Sequence, residues 1–178
     1  MAVPQLFEWR DDLLTHVEVI DTQHKEYFNR VNDLLRHAAA GESEEDVAGA
    51  LDFVASYAVF HFDSEQDAMR FAGYPGLDEH LEQHQHFAVH LERLSTSFDK
   101  DGFRPSLRRE LDALLVDWFV NHIRTVDQKL GRFLQKAWAA PADPSFAELG
   151  TRPPRPGLAG AREGRRLVPR DGTGGAAW

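Results

Sequence analysis

The stretch "LDEHLEQHQHFAVHLERLSTSF", residues 77–98, decides the fold. Leu77, His80, His84, Phe87, Leu91, Leu94 and Phe98 follow one another at steps alternating between three and four residues. That spacing is the inward seam of a helix in a bundle. His86 and His90 fall off it, since His86 lies about 200° round the helix from His84. Both are read as surface residues or as partners standing behind the ligands.

The same period runs outward in both directions. Before the stretch, Ser43 and the acids that follow it start a helix whose seam is Val47, Leu51, Val54, Ala58, His61, Glu65 and Ala68. "GYPG", residues 73–76, ends it. Beyond the stretch, Pro105 suits the first turn of a further helix with Leu107, Leu111, Leu115, Trp118, His122, Val126 and Phe133 on one face. At the front, Asp21 reads as the N-cap of a helix that runs to Ala40 and stops at Gly41, with Phe28, Val31, Leu35 and Ala38 inward. Long helices with short connections must run antiparallel to their neighbours. The expected fold is all-α, an up-down-up-down four-helix bundle with an N-terminal arm, over residues 1–140. Residues 141–178, rich in Pro, Gly and Arg, show no apolar period and are expected to form a flexible tail. The tail is the place for any protein partner; the bundle itself is expected to be a monomer.

Composition narrows the chemistry. The chain has no Cys, which excludes disulfides, thiolate zinc and iron–sulfur clusters. Its net charge is −9, and the tail carries six Arg against Asp143, Glu148, Glu163 and Asp171, so the bundle holds the negative charge. An acidic surface does not suit nucleic acid. With no leader-like N-terminus and no apolar run of about 18 residues, a cytoplasmic protein without a membrane segment is expected.

His61, Glu65, His80, His84 and His122 occupy seam positions that the pattern would otherwise give to Leu or Val. Burying unpaired imidazoles and a carboxylate costs a few kcal/mol each, so they need partners. His61 and Glu65 are four residues apart, as are His80 and His84, so each pair projects from one helix face and can grip an ion. His122 and Asp127 are five apart, about 140° on a regular helix. Either the helix is widened there, or Asp127 reaches in from the side to bridge two ions. His24 adds a ligand from the first helix. Five histidines and two carboxylates suit two ions that share the carboxylates, with iron the leading candidate and zinc, copper and manganese behind it. The ferritin-like alternative calls for Glu-x-x-His motifs, and none occurs.

The motifs "IDTQHK" (20–25), "HFDSEQDAM" (61–69), "GYP" (73–75), "HLEQH" (80–84) and "WFVNHIRTVD" (118–127), in this order, resemble the hemerythrins, within them the single-domain bacterial hemerythrins. The resemblance covers Trp9 to Phe133. It implies a non-heme di-iron site, oxo- or hydroxo-bridged, that binds O2 reversibly for storage or delivery, and a protein that is not an enzyme. By motif position, His80, His84 and His122 would hold one iron, His24 and His61 the other, and Glu65 and Asp127 would bridge them. The second iron would be one ligand short, with Trp118 and Phe119 on the wall of the oxygen pocket. The family usually carries Leu where this chain has Phe119. An oxygen or redox sensor and a di-iron oxidase or peroxidase are the competing classes.

Overall fold

The four apolar seams pack on one another in the computed structural model, which describes residues 6–41 and 43–139. Three of them are single helices: α1 (Glu18–Ala40), α2 (Glu44–Ala72) and α3 (Leu77–Asp101). The fourth arm of the bundle is unbroken but uneven. It runs through α4 (Pro105–Asp112), a π-helical stretch (Ala113–Trp118), α5 (Phe119–His122), a second π-helical stretch (Ile123–Asp127) and α6 (Gln128–Ala139). Among the described residues there is no strand, and no helix is long and apolar enough to cross a membrane. The expected tail, residues 141–178, lies outside the described residues.

The boundaries follow local chemistry. Gly41 takes a left-handed conformation (φ 71°) and donates its N–H to His37 O, which ends α1 where a side chain would be strained. The Ser43 hydroxyl accepts from Asp46 N at 3.2 Å and caps α2. Pro105 occupies the first turn of α4, where its missing N–H has no cost. One expectation is corrected here. Helix α1 begins at Glu18, after Val17, and Asp21 lies inside its first turns. The Asp21 carboxylate instead accepts from Thr15 N at 2.7 Å and Thr15 Oγ1 at 2.8 Å, tying the N-terminal arm to the helix.

The seams on α2 and the fourth arm also need small corrections. Met69 is the fully buried residue near the end of α2, and Ala68 is only half-buried. Past the second π-helical stretch, Leu130 and Leu134 are buried, while Phe133 is half-buried and packs on Tyr74. A π turn takes up one residue more than an α turn, so the inward phase slips beyond it.

The buried apolar residues form two clusters. The larger includes Leu13, Tyr27, Phe28, Leu51, Phe62, Phe87, Leu115 and Phe119. The smaller joins Val17, Ile20, Met69, Leu130 and Leu134. Along their helices, His24, Glu65, His80 and Asp127 fall between residues of the two clusters. The arm closes over this junction: Gln128 and Gln135 donate to Asp12, Leu14 and Thr15 carbonyls. Gly131 permits that approach, because a Cβ there would stand 2.4 Å from Thr15 O.

Candidate metal centre

All seven residues singled out in the sequence, the five polar seam residues with His24 and Asp127, meet in the polar layer. His24, His61, Glu65 and Asp127 are fully buried, and His80, His84 and His122 are at most 3% exposed. Their ligand atoms form two groups that share Glu65. One comprises Glu65, His80, His84 and His122; the other comprises His24, His61, Glu65 and Asp127. Within each group the atoms lie within 4.8 Å of one another.

The carboxylates stand between the histidines. Glu65 Oε2 is 3.3 Å from both His80 Nε2 and His84 Nε2, and 3.8 Å from His61 Nε2. Asp127 Oδ1 faces His122 Nε2 at 3.0 Å and His80 Nε2 at 3.2 Å, while its Oδ2 faces His24 Nε2 at 3.3 Å. These approaches lack hydrogen-bond alignment. Both oxygens of Glu65 and Asp127, the Nε2 atoms of His24, His61 and His84, and the Nδ1 atoms of His24, His80 and His84 have no hydrogen-bond partner. Buried polar atoms are rarely left in that state, and the carboxylate oxygens and Nε2 atoms among them face one another as a cation's ligands would.

The geometry decides between the two ways for Asp127 to reach the site. Ile123–Asp127 is a widened π turn, which brings residue 127 back toward the face of His122.

Electrostatics follow from burial and mutual approach. Burial drives His61 down to about 3, so it stays neutral and ready to coordinate. His84 is lowered for the same reason. Burial also opposes charge on His80, but the close Asp127 and Glu65 carboxylates outweigh it and raise His80 to about 9. Burial pushes the Glu65 and Asp127 carboxyls up, yet the imidazoles around them prevail and hold both below the ordinary carboxylate range.

Two orienting residues escaped the sequence reading. Gln23 Oε1 lies 3.0 Å from His61 Nδ1, and Gln23 Nε2 donates to Ser64 Oγ at 3.1 Å. Gln83 Oε1 lies 3.0 Å from His122 Nδ1. An amide oxygen on Nδ1 places the proton there and leaves Nε2 free for a metal. A glutamine adjoining a seam histidine was the available signal, but glutamine is common on exposed faces too.

The aromatic wall is unevenly shared. Phe119 is fully buried, with its ring centroid 5.7 Å from those of His24 and His61, and it stacks on Tyr27 at 3.9 Å. Trp118 sits on the other half, stacked on His122 at 4.7 Å and 12°. Phe62 stacks on His84 at 3.9 Å. His86 and His90 are exposed and His37 is half-buried, so none of them enters the site.

The family model described as "Hemerythrin HHE cation binding domain" matches residues 15–134, the span that holds every residue of this centre. The chain belongs to the hemerythrin family. Curated relatives include a bacteriohemerythrin of Pseudomonas paraeruginosa, 33% identical over 119 residues that make up 67% of this chain and 75% of that protein. A bacteriohemerythrin of Methylococcus capsulatus is 32% identical over 117 residues, 66% of this chain and 87% of that one. Similarity extends to a myohemerythrin of the animal Theromyzon tessulatum, 25% identical over 127 residues, 71% and 92% of the two chains. Among solved structures, a wild-type hemerythrin superposes with a TM-score of 0.66 at 30% identity, covering 73% of this chain and 98% of its own. A leucine-to-phenylalanine mutant gives 0.65 at 32% identity, covering 72% and 97%. This hemerythrin domain thus shares sequence with the curated relatives, and both sequence and fold with the solved hemerythrins.

Proposed function

We propose that this chain holds two iron ions in the polar layer of its bundle and binds O2 reversibly there, for storage or delivery. In this reading His80, His84 and His122 would hold one iron, His24 and His61 the other, and Glu65 and Asp127 would be shared between them. The observation that carries it is the convergence of unpartnered nitrogen and oxygen atoms into two groups sharing Glu65. The donor set fits iron: imidazole and carboxylate without thiolate, in a number that suits two ions of high coordination. Membership of the hemerythrin family supports the same assignment.

When bound, a ferrous pair would supply the two electrons that reversible O2 binding requires. The chain's own residues determine the rest. In this assignment the two-histidine half would have one protein ligand fewer than the three-histidine half, and Phe119 lies against both of its rings. Phe28, Phe62 and Tyr27 close in behind Phe119 and exclude water and charged reductants. Gln23 and Gln83 hold His61 and His122 with Nε2 inward. The two ligand groups contain no carboxylate besides Glu65 and Asp127, so no further acid stands among the ligands to feed protons to O2. Such a site favours release over onward reduction.

Anaerobic loading with Fe2+ followed by an oxygen cycle tests the proposal. A visible charge-transfer band that appears with O2 and disappears when O2 is removed is expected. Irreversible bleaching, or steady turnover of an added reductant, would replace the carrier reading with an oxidase or peroxidase.

A further inference from the structure

The buried centre leaves two histidines of "DEHLEQHQHFAVH" (78–90) unused. His86 and His90 are both exposed, lie one turn apart on α3, and make no hydrogen bond, ion pair or ring contact among the described residues. Residues four apart on a helix carry their Cβ atoms about 5–6 Å from each other, close enough for two imidazoles to meet one ion. Both line a surface groove of about 620 Å³, with Trp118 against it and Glu82 and Arg93 at its ends.

We propose that His86 and His90 form a second, surface metal site for a divalent first-row transition cation of the nickel, copper or zinc type. Two imidazoles without an oxygen cage select such borderline ions over magnesium or calcium, and the order of divalent affinities ranks ferrous iron below them. The rigid helix holds both ligands in place, so binding sacrifices little side-chain freedom beyond the two rotamers. Glu82 lies four residues before His86 and Arg93 three after His90, so the flanking charges offset each other, and the net charge of −9 favours cations overall. Two protein ligands leave the other positions to water, which makes the ion exchangeable. Trp118 separates this site from the buried one, lining the groove and stacking on His122. The surface site does not depend on what the buried centre holds.

Retention of the untagged full-length chain on immobilised Ni2+ tests this, because only accessible histidines can bind the resin. Wild type should be retained and elute with imidazole; H86A/H90A should flow through, and His16→Asn, at an exposed histidine elsewhere, should behave as wild type. Calorimetric titration of the iron-loaded chain with Ni2+ should give one ion per chain, with affinity at least about tenfold weaker in the double variant. Wild type that flows through, or a double variant retained like wild type, would overturn the proposal. A double variant that lost its iron would overturn it as well, by assigning these histidines to the buried centre.

Discussion

Gln83 and Gln23 carry the finest control over the centre, since each fixes one ring of a different ligand group. Replacing Gln83 by Leu removes the acceptor at His122 Nδ1, frees the ring to take either tautomer, and leaves a buried N–H unpaired. Gln83→Leu is expected to weaken metal binding by about 10–100-fold in competition with a chelator; unchanged affinity would show that His122 needs no such partner. Phe119 acts at the same scale through bulk rather than hydrogen bonding. Its ring stands edge-on to His24 and is packed by Tyr27, so it narrows the way to the two-histidine half. Phe119→Leu should speed both uptake and release of O2 in stopped-flow measurements, with little change in iron content; identical rates would count against a gating role. Five of the seven ligand candidates were legible in the sequence because buried polar residues break an apolar period, while His24 and Asp127 stood out only by their place beside that pattern and in the motifs. The two glutamines were not legible, because nothing in their spacing distinguishes an inward amide from a solvated one.

At the scale of elements, the fourth arm shows where periodicity reaches its limit. Spacing required an irregularity between His122 and Asp127 without saying which kind, and the π turn over Ile123–Asp127 supplies it. The same widening moved the buried positions to Leu130 and Leu134, which a continuous seven-residue pattern ending at Phe133 does not anticipate. The start of α1 departs from its sequence signal for a different reason. Asp21 has the chemistry of a cap, but its carboxylate serves Thr15 in the arm, a contact six residues back along the chain. That arm depends on Gly131, whose sequence context gives no hint that the Thr15 carbonyl presses on its Cα. Gly131→Ala should displace the arm and cost about 1–3 kcal/mol in denaturant unfolding. A gain in stability, as expected for a glycine in an unobstructed helix, would contradict the close approach.

The whole molecule is two apolar clusters separated by a buried polar layer, and the metal-free chain bears the cost of that layer. Its pH dependence follows from the histidines. His61, lowered from 6.5 to about 3, stays neutral in the native chain where the unfolded chain takes up a proton, so stability falls as pH drops from 6.5 toward 3. His80, raised to about 9, stabilises fully below 6.5 and loses that contribution as pH rises from 6.5 to 9. Glu65 and Asp127, held low, stabilise above the ordinary carboxylate range and lose that effect in acid. The urea midpoint of the metal-free chain should therefore peak near pH 6.5, and a profile rising steadily to pH 9 would contradict the His80 environment. Binding of ions to the native chain alone raises stability further, by an amount that grows with their concentration over Kd. The most direct test of the central claim is anaerobic titration of the metal-free chain with Fe2+, followed to its end point by iron analysis. The paired site predicts two ions per chain in wild type and loss of the pair in Glu65→Leu, which removes the carboxylate common to both ligand groups. A single ion per chain, or an end point that Glu65→Leu leaves at two, would contradict it.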